Sequence, residues 1–418
     1  MASYHIETYG CTANRGESKE IERRLRDAGH HPVDGPTAAD VAILNTCTVV
    51  EKTERNMRRR AEELADETAD LVVTGCMALA QGEQFEDLNA RVCHWEEVPI
   101  AVRNGECPTP TPDSQPGLDG EIGILPLARG CMSDCSYCIT KRATGRIESP
   151  PVEENVDRAR ALLHAGATEL RLTGQDTGVY GWDINQGESL LPELIDRVCE
   201  LDPGHDFRVR VGMANPKGLH GVRHDLARTF AKNDEVYNFI HAPVQSGSTD
   251  VLADMRRQHT ADEFYEVVAA FDDKLSEWTL ATDLIVGFPT EDDDDFRQTV
   301  DLVRKVRPER INITRFSKRP GTDAAEMKGL GGTIKKERSK ALSELKREVC
   351  DEAYDAMVGT DRTVQAVQLG TGDSVKCRDG AYRQIVVQNA DEWGVAPGDH
   401  LTVEVTEART VYALGRPC

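Results

Sequence analysis

No stretch of the 418-residue chain approaches the roughly 20 consecutive apolar residues that a membrane-spanning helix needs. The first residues, Met-Ala-Ser-Tyr-His-Ile, lack the basic and apolar regions of a secretory signal, so a cytoplasmic location is expected. Basic charge is scarce as well: 50 Lys and Arg stand against 72 Asp and Glu, a formal net charge of −22. The acidic residues are spread along the whole chain, which implies a globally acidic surface. Such a surface opposes nucleic-acid binding, because phosphate contacts need Lys and Arg and like charge slows encounter. The same composition fits adaptation to high salt, where long-range repulsion is screened and a locally basic patch can still dock RNA. Both readings stand at this point. Disulfide pairing is not expected in a cytoplasmic chain, so its 12 cysteines read as metal ligands or buried thiols. With 39% hydrophobic residues, the chain is long enough for two or three domains, each with its own core.

What is present concentrates in residues 129–142, RGCMSDCSYCITKR. Cys131, Cys135 and Cys138 are spaced C-x3-C-x2-C. Three thiolates so placed can hold three irons of a cubane cluster and leave the fourth iron open, which suits an enzyme that binds a reactant there. A structural zinc site would need a fourth ligand, yet after Cys138 the nearest cysteine is Cys199, and no His or Cys follows at a usual zinc spacing. The stretch resembles the signature of the radical S-adenosylmethionine (SAM) superfamily, C-x3-C-x-aromatic-C, with Tyr137 at the aromatic position. The resemblance implies a [4Fe-4S] cluster whose open iron chelates the amino and carboxylate groups of SAM.

Residues 1–104 alternate strand and helix patterns. Residues 3–9 alternate, 16–28 show helical spacing, 40–45 and 70–74 are compact apolar runs, and 51–67 form a charged helix. Runs of that kind are strands buried on both faces of a parallel sheet, so a small doubly wound α/β domain is expected. Each strand ends in a cysteine: Cys11, Cys47 and Cys76. Ligands bind at the carboxyl ends of such strands, so these three converge on one crevice. They form either a second metal site or a set of small buried hydrophobes. Residues 105–121, rich in Pro and Gly, read as a linker.

From residue 122 the alternation resumes, with strands expected at 122–127, 169–173, 207–211, 236–242, 280–286 and 310–316 and helices at 152–164, 189–200, 262–275 and 293–306. Six βα units make an open, partial barrel, here given the span 122–355. Gly174, Gln175 and Asp176 follow the second strand; Asp176 is either an acceptor for the SAM ammonium or an Asx-turn residue. Arg210, Asn215 and Gln245 are candidates for the SAM carboxylate and ribose, and Gly287-Phe288-Pro289 resembles the superfamily's loop beside the adenine. Residues 291–295 read as a solvated helix N-terminus. Residues 356–418 carry short alternating runs separated by turns, the pattern of a small antiparallel β-barrel. From residue 358 there are six Lys and Arg against eight Asp and Glu, so composition alone does not make this an RNA-binding module. Basic residues gather instead at Arg58, Arg59 and Arg60, at Arg315, Lys318 and Arg319, and along 335–347.

The strings TYGCTANRGES, NTCTV and VTGCMA ahead of the SAM signature resemble the methylthiotransferase family. That resemblance implies a second [4Fe-4S] cluster on Cys11, Cys47 and Cys76, a C-terminal RNA-binding barrel of TRAM type, and transfer of a methylthio group with two uses of SAM. Cys93, Cys107, Cys199, Cys350, Cys377 and Cys418 fall outside these motifs and read as structural or incidental. TGQDTGVYGWD and PVQSGSTDVLADMRRQHT are similar to the archaeal and eukaryotic branch, which modifies threonylcarbamoyladenosine at position 37 of tRNA. Other branches act on isopentenyladenosine in tRNA or on an aspartate of a ribosomal protein, and outside the family a non-catalytic metal-containing RNA-binding protein is the alternative. The expected partners are the tRNA anticodon stem-loop, an electron donor and a sulfur source.

Overall fold

The computed structural model describes residues 1–48, 51–103 and 117–418; most of the linker expected at 105–121, with Cys107, lies outside them. The chain opens with β1 (Ser3–Thr8), α1 (Thr12–Asp27), β2 (His31–Pro32), β3 (Val41–Thr46), α2 (Glu51–Glu67), β4 (Leu71–Gly75), α3 (Cys76–Ala80), β5 (Arg91–Val92) and α4 (Val98–Arg103). The strands form one parallel sheet in the order β2-β1-β3-β4-β5. β3 and β4 are buried on both faces, as their uninterrupted apolar runs require. Two edge strands are additions to the sequence reading. β2 and β5 have two residues each, too few to show alternation, and join the sheet through backbone pairing alone. The strand order reverses direction between β1 and β3, the switch point at which open α/β sheets bind ligands.

The second layer contains β6 (Ile122–Pro126), α5 (Thr140–Thr144), α6 (Val152–His164), β7 (Glu169–Thr173), α7 (Leu191–Cys199), β8 (Arg208–Val211), α8 (Pro216–Lys232), β9 (Phe239–His241), α9 (Thr249–Asp254), α10 (Ala261–Asp272), β10 (Thr279–Val286), α11 (Asp293–Val306), β11 (Arg310–Arg315), α12 (Asp323–Glu326) and α13 (Gly332–Asp355). The six strands are parallel within two three-stranded sheets, β6-β7-β8 and β9-β10-β11. Single bridges at Val209–Val236 and Met213–His241 join them into a half-barrel. Alternate strand residues, among them Leu170, Leu172, Val209, Val211, Ile240 and Leu284, face outward into one large core under the helices. Their neighbours, including Glu169, Arg171, Arg210 and Arg310, face the lumen. α8 is absent from the helices expected above, although Asn215 at its N-cap and Pro216 at its first turn are strong start signals.

Residues 361–417 close a five-stranded barrel from β12 (Asp361–Leu369), β13 (Ser374–Asp379), β14 (Gln384–Gln388), β15 (His400–Arg409) and β16 (Tyr412–Pro417), with α14 (Ala390–Trp393) between β14 and β15. Four of its pairings are antiparallel; β14 and β16 pair in parallel, where wholly antiparallel pairing is the expectation from sequence. This barrel seals the amino-terminal mouth of the half-barrel. Tyr382 inserts against Tyr237 and Phe239, with ring centroids 4.8 and 5.0 Å away. The Tyr237 hydroxyl donates to Gln365 Oε1 at 2.9 Å, and Arg383 grips Glu309 through Nε at 2.8 Å and Nη2 at 2.6 Å.

The first sheet sits beside the other end of the half-barrel. Gly16 of α1 lies so close to β6 that a Cβ there would approach Ile124 Cγ2 to 2.7 Å. Arg319, expected in a basic surface cluster, is buried and paired with Glu54 of α2 at 2.7 Å. Glu291 also departs from the solvated end expected of 291–295. It is buried and bound by Arg338 at 2.7 Å, while Asp292 caps α11 through the Asp295 backbone N–H.

Candidate functional site

The loop after β6 carries the first cysteine triad. Gly130 makes the entry turn: its φ is +75°, and a Cβ there would lie 1.9 Å from the Arg146 carbonyl oxygen, so only glycine fits. The Cys131 N–H donates to the Gly145 carbonyl at 3.2 Å and the Cys138 N–H to the Cys135 carbonyl at 3.1 Å. Ser136 pins the loop to α9, its N–H donating to the Met255 carbonyl at 3.0 Å and its Oγ to the Asp254 carbonyl at 2.8 Å. Tyr137 packs with Val251, Met255, Phe288, Phe316 and Ala324, so the aromatic position of the motif anchors the loop. The Ser133 N–H points at Cys131 Sγ at 3.3 Å, and Arg257 Nη1 at Cys135 Sγ at 3.7 Å. Burial pushes the Cys131 thiol up to about 11, with the charge of Asp176 adding to the shift.

Asp176 stands next to this triad. Its Oδ1 accepts from the Gly178 N–H at 3.1 Å and the Asn215 N–H at 2.9 Å, which is the turn role foreseen in the sequence. Its Oδ2 is buried with no hydrogen-bond partner among the described residues, leaving one carboxylate oxygen for an incoming donor. Burial pushes this carboxyl up to about 6, against the pull of the Asn215 N–H and Arg257. Asn215 caps α8 by accepting from the Lys217 N–H at 3.1 Å, and its Nδ2 donates to Ser133 Oγ at 3.0 Å. Arg257 Nη2 donates to Asn215 Oδ1 at 3.1 Å and to the Pro243 carbonyl at 2.6 Å. Gly174 and Gln175 lie in the turn leaving β7. Gln245, at φ +75°, bridges to β10 through its backbone.

Arg210 is placed elsewhere. It lies below the strand end, its guanidinium 5.1 Å from the Phe239 ring, and joins neither Asp176 nor Arg257. Arg257 and His259 are the residues that sequence reasoning missed. His259 is buried with neither ring nitrogen hydrogen-bonded among the described residues, and burial with the charge of Arg257 pushes it down to about 3. The signal was the string DMRRQHT, visible in the chain but tied to no spacing rule.

The second triad gathers at the strand ends around the switch point. Gly10 precedes Cys11 and Gly75 precedes Cys76. A Cβ on Gly10 would lie 2.3 Å from Asn14 Oδ1 and 3.1 Å from Cys47 Cβ. One on Gly75, at φ +88°, would lie 2.3 Å from Asn45 Oδ1 and 2.4 Å from the Thr46 carbonyl oxygen. Both glycines are therefore what lets three strand ends close on one point. Asn14 Oδ1 accepts from the Cys11 N–H at 3.2 Å and from its thiol at 3.4 Å, while Nδ2 donates to Asn45 Oδ1 at 3.1 Å. Burial raises the Cys76 thiol, and the charges of Glu17, Cys11 and Cys47 add to it. Glu17 is itself pushed up to about 7 by burial, opposed by the Asn45 amide and Arg129. A cavity of about 690 Å³ opens on two members of this triad, Cys11 and Cys47, and is lined also by Tyr9, Asn56, Met57 and Arg59.

Among the described residues, no three His, Cys, Asp or Glu side chains converge as the ligands of one ion do. Thiolates of a cubane each take a different iron and need not converge. The donor set fits such a cluster at the first triad: three thiols, N–H and guanidinium donors aimed at two sulfurs, and a buried carboxylate oxygen left for a ligand amine. The second triad offers three thiols on converging strand ends and an open cavity.

The two sites adjoin. α3, which begins at Cys76, packs against α5, which begins two residues after Cys138. Across the same junction Glu54 accepts from Arg319 Nη1 at 2.7 Å, from Gln81 Nε2 at 2.8 Å and from the Thr48 hydroxyl. Thr48 follows Cys47 and Gln81 follows α3, so one buried polar cluster ties two arms of the second triad to the half-barrel.

Residues 125–303 match the Radical SAM superfamily, and residues 3–95 match an uncharacterised protein family, UPF0004. A protein of Archaeoglobus fulgidus described as a probable threonylcarbamoyladenosine tRNA methylthiotransferase is 34% identical over 426 residues, covering 98% of this chain and 97% of its own. The threonylcarbamoyladenosine tRNA methylthiotransferase of Danio rerio is 32% identical, covering 100% of this chain and 78% of its own. The radical SAM methyltransferase TsrM of Kitasatospora setae, solved with cobalamin and a [4Fe-4S] cluster, shares the fold at 14% identity, with a TM-score of 0.58 over 77% of this chain and 73% of its own. Matched over nearly its whole length by proteins so described from archaea and a vertebrate, and built on the radical SAM half-barrel, the chain belongs to the threonylcarbamoyladenosine tRNA methylthiotransferase family.

Proposed function

We propose that the protein converts N6-threonylcarbamoyladenosine at position 37 of tRNA to its 2-methylthio derivative by radical SAM chemistry. The observation that carries this reading is the packing of α3 on α5, which sets the Cys11–Cys47–Cys76 triad beside the Cys131–Cys135–Cys138 triad. Clusters held there would supply the electron that cleaves SAM and the sulfur that is transferred. The chain's own residues position and seal. Asp176 Oδ2 would accept from the SAM ammonium, and Arg257, between Cys135 and Asn215, would donate to its carboxylate. Gly174, Gln175 and Gln245 form the polar loops on either side. The buried Glu54–Arg319 pair holds the sulfur-bearing sheet on the half-barrel. The C-terminal barrel, TRAM-like in strand number and position, is the module that meets the anticodon stem-loop.

Two experiments test this. Nucleosides of tRNA from a strain lacking the gene, analysed by mass spectrometry, should lose the methylthio-threonylcarbamoyladenosine peak; an unchanged peak overturns the assignment. Anaerobic reconstitution with iron and sulfide should load both triads, and replacing Cys131, Cys135 and Cys138 by Ala should remove about half of the iron.

A further inference from the structure

The floor of the half-barrel holds a charge imbalance that the fold does not resolve. Arg171 and Arg210 are opposite each other on β7 and β8, and Arg310 lies opposite Ala281 on β11. Arg378 joins them from the C-terminal barrel, 4.6 Å over the Tyr382 ring. Against these four guanidinium groups the floor offers one carboxylate, Glu169, fully buried and bound to Arg171 Nε at 2.5 Å. Arg310 and Arg378 spend donors on the Tyr382 carbonyl, at 2.6 and 3.5 Å. The next acid up the lumen, Asp283, is taken by Asn312 Nδ2 at 2.7 Å and His241 Nε2 at 3.1 Å. Arg210 alone of the four has neither a hydrogen bond nor an ion pair among the described residues. Its Nε is buried without a partner, and its guanidinium stacks only on Phe239 and Tyr382, 5.1 and 5.9 Å from the ring centroids. In a chain of net charge −22, a half-buried guanidinium that faces the lumen with its Nε buried and no anion beside it is a specific arrangement that calls for a partner.

We infer that the floor of the half-barrel binds a carboxylate of the substrate, with Arg210 as its principal partner, and that this carboxylate is the one on the threonyl group of threonylcarbamoyladenosine. The inference rests on the functional reading above and deepens it to a basis for specificity. Two residues of strand, roughly 7 Å, separate Arg210 from Gly212 at the barrel mouth. A purine entering from the mouth with C2 toward the SAM site therefore points its N6 substituent down the lumen. An isopentenyl group would leave the guanidinium unpaired, and a site built for a charged partner rejects the analogue that lacks it.

The test uses the full chain, anaerobically reconstituted, and two anticodon stem-loops: one with threonylcarbamoyladenosine and one with its carboxyl methyl ester. The native protein should show a KM at least about tenfold lower for the acid than for the ester. Arg210→Met should raise KM for the acid to the level of the ester, leave the ester unchanged, and leave RNA-independent formation of 5′-deoxyadenosine unchanged. Arg210→Lys should recover part of the preference. Equal KM for acid and ester in the native protein overturns the inference without any variant. So does an Arg210→Met protein that loses RNA-independent SAM cleavage, which would return Arg210 to the SAM site. A native protein that methylthiolates neither stem-loop overturns the functional reading and this inference with it.

Discussion

Asp176 divides its two oxygens between tasks, and the division can be tested. Asp176→Asn keeps an oxygen for the Gly178 and Asn215 N–H groups but removes the charge, so SAM affinity should fall by about tenfold or more with iron content unchanged. Equilibrium dialysis of SAM against the reconstituted variant measures this, and native-like affinity would remove Asp176 from the site. Glu17 gives a pH signature. Its carboxyl titrates from the ordinary 4.5 when unfolded and at about 7 in the fold, so the fold holds the proton more tightly. That stabilisation is complete below pH 4.5 and disappears as pH rises through 7, worth up to about 3 kcal/mol. In iron-free protein, Glu17→Gln should flatten denaturant stability across that window; parallel native and variant curves would show that burial does not act on this group. At this scale the sequence was legible where chemistry has a spacing, as with Cys131, Cys135 and Cys138. Arg257 was not, because what defines it is Cys135, Asn215 and Pro243 brought by other segments, and Arg210 was legible as a candidate but its place over Phe239 was not.

At the scale of elements, the turns before Cys11 and Cys76 set where the second triad closes. Gly75→Ala puts a Cβ 2.3 Å from Asn45 Oδ1 in a left-handed backbone, whereas Gly145→Ala, at φ +73°, meets nothing within 4 Å. The first should cost about 2 kcal/mol or more and about half of the bound iron; the second should cost about 1 kcal/mol and no iron. Iron assays and denaturant curves of the two variants separate close approach from backbone conformation. Apolar runs announced β3 and β4 because both faces of each are buried, and the barrel strands because each is buried on its helix side. α8 escapes the pattern because a polar Asn at a strand end fits a ligand contact as well as the helix cap that it is, and β2 and β5 because two residues carry no period.

At the scale of the molecule, the first sheet and the half-barrel are one working unit. Arg319→Met leaves Glu54 buried without its cation and should destabilise the chain by about 3–5 kcal/mol, seen as an earlier or split unfolding transition. The acidic balance of the chain bears on tRNA. If it reflects life in salt, the rate of stem-loop methylthiolation at about 1 M KCl, where the Debye length is about 3 Å, should equal or exceed that at about 0.1 M. A steady fall with salt, as counterion release dictates for a basic interface, would reject that account. The seating of Tyr382 reaches further. Because its ring and carbonyl complete the wall around Arg210 and Arg310, the C-terminal barrel closes the bottom of the half-barrel lumen, whatever else it binds. A change there, such as Tyr382→Ala, should let water rise to the reacting base and show itself as SAM consumed without product, even on an isolated nucleoside too small to touch any RNA-binding surface.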